Sequence, residues 1–212
     1  MRLEQALSLG LSKHVGEVLT EEDARKLAGF IMWATQPEDR SFDPTSFPTE
    51  EFDGMTFQVE RMRDVVEEIK PLHLAHWQET ETHRHRQSLN PNYAELIAHE
   101  RAGQYVLFTV RDADKRLVGN CAVYIFRSNH TQELEATEDT MFVLKEVRKG
   151  RELGVAFFQY CERMLLGLGV TEATFKVKIL NAVWRRWRRL GYEIVAYEMS
   201  KQLRRANDAT QV

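Results

Sequence analysis

The sequence predicts an α/β protein whose mixed sheet starts antiparallel and ends in a βαβ crossover. Three observations predict it. Residues 105–110 and 117–126 are nearly continuous apolar runs joined by the polar turn Asp112-Ala113-Asp114-Lys115, the pattern of a hairpin buried on both faces. Leu153, Phe157, Phe158, Cys161, Met164, Leu165 and Leu168 recur at helical spacing, and Gly167 and Gly169 close that helix. A strand at residues 133–144 precedes this helix and another at residues 174–177 follows it, so the helix joins two strands.

The remaining elements follow in chain order. Thr20 reads as an N-cap with an acidic residue three positions on, and Ala24, Leu27, Ala28 and Ile31 share one face, which predicts a helix to about Thr35. Residues 36–54 carry Pro37, Pro44 and Pro48 among Asp, Ser, Thr and Glu. Their backbone can run long in neither helix nor central strand, and the segment reads as a linker. Residues 55–59 form a short strand, residues 61–70 a helix stopped by Pro71, and a second helical stretch runs through Trp77. Residues 92–102 make a helix ended by Gly103, where a positive φ costs little. Beyond the crossover, residues 181–190 form a helix capped by Gly191, and residues 192–199 a final strand. The expected organisation is a helical extension and Pro-containing linker over residues 1–54, an α/β domain over 55–203 and a polar tail over 204–212.

The chain has 212 residues, 43% hydrophobic and 29% charged, a balance that excludes a disordered or fibrous protein and suffices for one well-buried core. Its 29 Lys+Arg and 32 Asp+Glu leave a formal net charge of -3, so no whole-chain field draws it to nucleic acid or anionic lipid, and any anion site must be local. Cys121 and Cys161, the only cysteines, lie within apolar segments as small buried hydrophobes, which fits a reducing cytoplasm. Arg2 and Glu4 interrupt the start, and no later segment approaches the ~20 apolar residues of a membrane span. A cytoplasmic protein, or one packaged from the cytoplasm, is expected, with no membrane partner.

Chemistry concentrates where a strand hands the chain to the long helix. Phe142-Val143-Leu144 leads through Lys145-Glu146-Val147-Arg148-Lys149-Gly150-Arg151-Glu152-Leu153-Gly154, a basic, glycine-containing loop at a helix N-terminus. Free backbone N–H groups and the positive end of the helix dipole favour a phosphate there, and Arg148, Lys149 and Arg151 add full charges. This segment resembles the acetyl-CoA-binding motif of the Gcn5-related N-acetyltransferases, an Arg/Gln-x-x-Gly-x-Gly/Ala loop after a strand. The spacing departs from the motif. With Arg148 as its arginine, Gly154 falls one residue late; with Gly154 as its last glycine, Lys149 replaces the arginine and Glu152 the middle glycine, where an acid repels a pyrophosphate unless turned away. Asn181, the helix to Leu190 and Gly191-Tyr192 are similar to the family's second motif, an Asn-containing helix ending in Gly-Phe or Gly-Tyr.

The resemblance spans roughly residues 55–203 and leaves the first 54 outside. Within the family it is greatest to bacteriophage-encoded members, which share His130-Thr131, Glu138-Asp139, Arg148-Lys149-Gly150 and Ser200-Lys201, together with Pro71-Leu72, His76-Trp77 and Gly103-Gln104-Tyr105. It implies a mixed, mostly antiparallel twisted sheet flanked by helices, with the N-terminal helical extension added to it. It also implies binding of acetyl-CoA and direct transfer of acetyl to an amine, that of a host protein, a small molecule or a nucleobase. Arg148, Lys149, Gly150, Arg151 and Gly154 would surround the pyrophosphate, Phe142 and Val143 would present backbone groups to pantetheine, and Asn181 would assist.

Direct transfer needs a base for the amine, donors that polarise the carbonyl and often an acid for the leaving thiolate. Family members often place a tyrosine as that acid on the helix before the last strand; counted back from Gly191, the place holds Trp187, which leaves Tyr192, Tyr124 or unassisted departure. Candidates for the base are Glu79, Glu81, His130 and Asp139. The competing class is a phage virion or partner-binding protein that keeps the fold without turnover.

Two further patterns have plain readings. His73, His76 and Glu79 stand at helical spacing with His83 and His85 following, yet without cysteines or a symmetric ligand pattern no metal is expected. Arg185, Arg186, Arg188 and Arg189 interleave with Trp184 and Trp187, a combination seen at nucleic-acid surfaces, but Val183, Trp184, Trp187 and Leu190 share one helical face, as buried rings beneath a solvated basic face would. A nucleic acid, or the 3′-phosphate of CoA, is the alternative partner for those arginines.

Overall fold

The computed structural model describes residues 3–16, 18–34, 39–80, 88–148, 152–178 and 183–199. The chain divides into two units, Met1–Phe175 and Lys176–Val212. The helices among the described residues are α1 (Leu3–Leu11), α2 (Glu21–Ala34), α3 (Met62–Thr80), α4 (Tyr93–Arg101), α5 (Lys145–Arg148) and α6 (Leu153–Gly167) in the first unit, and α7 (Trp184–Arg189) in the second. None of them is long and apolar enough to cross a membrane.

Six strands form one sheet in simple sequence order: β1 (Glu50–Phe52), β2 (Met55–Glu60), β3 (Tyr105–Arg111), β4 (Leu117–Arg127), β5 (Leu134–Val143) and β6 (Glu172–Thr174). Neighbours from β1 to β5 are antiparallel, and β5 and β6 are parallel, joined through α6. This is the predicted mixed, mostly antiparallel sheet flanked by helices. Asp53 and Gly54 connect β1 to β2 with φ of 50° and 75°, the positive values that a tight two-residue hairpin turn demands.

Both sheet faces are covered, which is why β3 and β4 read as unbroken apolar runs. On one face Phe57, Phe108, Val110, Val123 and Ile125 pack against Phe157, Tyr160, Cys161, Met164 and Leu165 of α6. On the other, Tyr105, Leu107, Leu117, Ala122 and Phe142 pack against Met62, Val65, Ile69 and Leu72 of α3. Phe57 and Phe157 meet with ring centroids 5.3 Å apart. Cys121 and Cys161 are free and buried, as their apolar surroundings predicted.

Several elements depart from the sequence reading. Pro71 does not stop α3, which runs through it to Thr80. A proline inside a helix leaves the carbonyl four residues back unpaired; here Pro71 and Glu67 are both exposed, so water reaches that carbonyl, while buried Ile69, Leu72 and His73 hold the helix to the sheet. The segment 36–54 holds a 3-10 turn at Pro44–Ser46 and the edge strand β1, and Phe42, Phe47 and Phe52 pack against the core.

The strand after α6 spans Glu172–Thr174 instead of residues 174–177. It pairs with Glu135, Ala136 and Thr137 only, because β5 bulges just beyond, at Asp139, and a bulge bends its strand away from a straight neighbour. Residues 192–199 form no strand. Ile194, Val195, Tyr197 and Met199 are exposed, and no strand is described in their unit to supply a ladder.

Candidate functional site

The strand β5 carries the site. Its inner edge pairs with β4 throughout, Phe142 opposite Asn120 and Val143 opposite Gly119, but on its outer edge β6 covers only Glu135, Ala136 and Thr137. From Glu138 to Val143 no described strand lies along that edge. This stretch begins at a bulge: Ala122 pairs with Thr140 and Val123 with Glu138, which leaves Asp139 as the extra residue.

Beyond this stretch the chain enters α5 and then α6. Arg148, at the end of α5, forms an ion pair with Glu79 of α3 and lies 5.6 Å above the Phe142 ring. The residue before α6, Glu152, gives it no side-chain capping hydrogen bond. A Cβ on Gly154 would meet no heavy atom of the described residues within 4 Å. Lys149, Gly150 and Arg151 lie outside the described residues, as does Asn181.

A cavity of about 480 Å³ opens on the α3 side of the sheet. Its walls come from His73, His76 and Trp77 on α3, Leu89, Pro91 and Asn92 before α4, Glu95 and Leu96 on α4, Tyr124 on β4, and Asp139 and Thr140 on β5. The same periodicity that buries Met62, Val65, Ile69 and Leu72 continues along α3 to His73 and His76 and aims them at the sheet. His76 shares a hydrogen bond of 2.9 Å between Nδ1 and the Thr140 hydroxyl, and its ring stacks on Phe142 with centroids 4.9 Å apart. Arg148, Phe142 and His76 thus form a layered column from the start of the basic loop to the cavity wall.

Hydrogen bonding and burial set the protonation of these groups. Tyr105 donates to an Asp139 carboxylate oxygen at 2.9 Å; burial, then the Asp139 charge, holds its phenol well above the usual range, so it stays a donor. Tyr124 is raised by burial and then by the charges of Asp139 and Glu95. Burial, aided by repulsion from His76, lowers His73 to about 4, so its imidazole is neutral near pH 7; Nδ1 lies 3.2 Å from the Tyr93 hydroxyl, while buried Nε2 has no hydrogen-bond partner among the described residues.

The candidate bases, and the tyrosines considered as the acid, separate. Asp139 and Tyr124 face the cavity, and Glu79 stands beside it, held by Arg148. His130 sits exposed in the turn between β4 and β5, at the far end of β5 from α5, and Tyr192 lies in the second unit, its ring 6.1 Å from that of Trp187. Glu81 lies outside the described residues. On α7 the four arginines are exposed and the two tryptophans half-buried. Among the described residues no group of three His, Cys, Asp or Glu is placed to hold a metal ion.

The arrangement of strands and helices is that of the Gcn5-related N-acetyltransferase fold. An aminoglycoside acetyltransferase from an uncultured soil metagenomic sample, solved with sisomicin, matches it with a TM-score of 0.58 at 12% identity, over 72% of this chain and 98% of its own. Glucosamine-6-phosphate N-acetyltransferase from Arabidopsis thaliana matches with 0.53 at 14% identity, over 71% and 99%. An acetyltransferase from Trypanosoma brucei gives 0.53 at 18% identity, over 70% and 99%. No family model and no curated protein matches the sequence.

Proposed function

We propose that the protein is an acetyl-CoA-dependent N-acetyltransferase of the phage-encoded type, acting on an amine held in the cavity beside Asp139. The observation that carries this reading is the meeting of two features at one residue: the stretch of β5 that β6 does not cover begins at the bulge whose extra residue, Asp139, also lines the cavity. A donor along the edge and an acceptor in the cavity would then approach each other at the bulge.

The residues fit acetyl-CoA. Thr140 to Val143 lie on the edge that β6 does not cover and could present backbone to an amide-bearing arm, Gly154 adds no side chain to the first turn of α6, and Arg148 supplies a guanidinium for phosphate once freed from Glu79. Lys149, Gly150 and Arg151 continue that cradle by sequence, as Asn181 continues the second motif. Bound there, the cofactor supplies an acetyl group activated as a thioester. Asp139 attracts the ammonium form of the amine and can accept its proton, and Tyr105 orients the carboxylate. Tyr124, kept protonated, is the donor for the departing thiolate.

The phage type and a place in a virion rest on the shared residue pairs of the sequence, and packaged protein would copurify with particles. The test is calorimetry of acetyl-CoA with the wild type and with the Arg148→Ala, Lys149→Ala double variant, followed by amine-dependent thiol release. Saturable binding lost in the double variant supports the reading. A folded protein that binds no acetyl-CoA at millimolar concentration sinks it and leaves the fold reused without turnover.

A further inference from the structure

Phe142 belongs to both halves of the site. Its backbone lies in the stretch of β5 that β6 does not cover, and its side chain, 4% exposed, packs on the α3 face of the sheet. Two polar side chains reach the ring: the Arg148 guanidinium, 5.6 Å from its centroid, and the His76 imidazole, stacked at 4.9 Å with 19° between the planes. Thr140 and Phe142 flank Met141 on one strand and so share a face. His76 touches both, since its Nδ1 lies 2.9 Å from the Thr140 hydroxyl. Thr140 in turn follows the bulge residue Asp139, whose carboxylate accepts from Tyr105.

The ends of this chain of contacts differ in freedom. Arg148 and its partner Glu79 are solvated, so the guanidinium can turn at little cost. Phe142 is enclosed with Ile69, Leu72 and Leu117, and a close-packed interior passes a displacement on to its neighbours. When Arg148 turns to a phosphate, one side of the ring loses its cover. Apolar surface newly exposed to water favours movement inward, towards α3 and His76. A ligand shifts two arrangements only if it binds them unequally, and a phosphate does so here because it bonds an Arg148 that has left the ring.

From these contacts we infer that Phe142 couples the two half-sites: acetyl-CoA, by drawing Arg148 off the ring, shifts Phe142 against His76 and through Thr140 resets the bulge at Asp139. The inference rests on the N-acetyltransferase reading for its trigger. Phe142 and His76 are positioning residues in it. By linkage, a molecule in the cavity that fixes the bulge changes acetyl-CoA affinity by the same factor as acetyl-CoA changes its own.

The test is nuclear magnetic resonance of the full chain, with the His76 Cε1–H signal assigned through His76→Gln, during a titration with acetyl-CoA whose binding calorimetry measures on the same sample. In the wild type the signal should shift and saturate at the calorimetric Kd. Arg148→Ala, a change at a solvated side chain, should move it in the same direction with no ligand added. Phe142→Leu should bind acetyl-CoA and lose the response. Binding that leaves His76 unmoved, a response that survives in Phe142→Leu, or an Arg148→Ala signal at the wild-type position overturns the inference and leaves the acetyltransferase reading standing. A protein that binds no acetyl-CoA removes that reading, and the inference with it.

Discussion

Replacing Glu79 by alanine should tighten acetyl-CoA binding. The Arg148 guanidinium is engaged by the Glu79 carboxylate and rests over Phe142, so a pyrophosphate would have to displace Glu79 before Arg148 could turn to it. The two side chains are 35% and 38% exposed, which puts the pair among solvated ion pairs contributing roughly 0.2–1 kcal/mol. Removing the competitor should lower the acetyl-CoA Kd by a factor of about 1.4 to 5, and the gain should shrink as salt screens the charges. Calorimetry of the wild type, Glu79→Ala, Arg148→Ala and the double variant closes a cycle in which the gain must vanish without Arg148. Weaker binding by Glu79→Ala, or a gain that survives loss of Arg148, refutes the competition.

Three further outcomes follow from the packing. Phe157, fully buried against Phe57, should cost about 3–5 kcal/mol when cut to alanine, read as a lower urea midpoint at unchanged slope. His73 is neutral in the fold and titrates at about 4, against 6.5 in the unfolded chain, so the unfolded state binds the extra proton. Stability from this group is complete above pH 6.5 and is lost as pH falls towards 4, by on the order of 3 kcal/mol in all, and denaturation across that window should show a flatter acid limb in His73→Gln. Gly103 has φ of +70°, and a Cβ there would stand 2.8 Å from the Arg40 carbonyl oxygen; Gly103→Ala should lower stability by about 1–3 kcal/mol, measured as a fall in Tm.

The sequence carries the core of the fold because burial writes itself locally. The apolar runs of β3 and β4 and the spaced residues of α6 are legible since each packs a whole face against one neighbour. Pro71 misled because a local steric rule competes with helix burial elsewhere, and only the exposed setting of Glu67 shows which wins. Asp53-Gly54 was the available hairpin signal for β1, masked by the prolines that surround it. The apolar alternation at residues 192–199 reads as a strand, but a strand exists only with a partner edge, and sequence alone does not supply one.

The site divides in the same way. Arg148 and Gly154 are readable, since a strand, a basic loop and a helix are contiguous in the chain. The cavity is not, because its wall draws on α3, residues 89–92, α4, β4 and β5, and proximity among His76, Tyr124 and Asp139 arises only when the sheet forms. His73 and His76 gave one hint: they extend the apolar face of α3, a position where polar residues need a reason. The bulge at Asp139 left no trace, as nothing in Thr137-Glu138-Asp139-Thr140 marks which residue is extra.

The stretch of β5 along which no strand is described has a bearing on solubility. Unpaired strand edges are templates for other chains, and proteins usually guard them with charge or irregularity. Here Glu138 and Asp139 put two acids and a bulge at the start of the exposed stretch, while Met141, Phe142 and Val143 make its far half strongly apolar. A molecule lying along the stretch that β6 does not reach would therefore also shield its apolar half from a second copy.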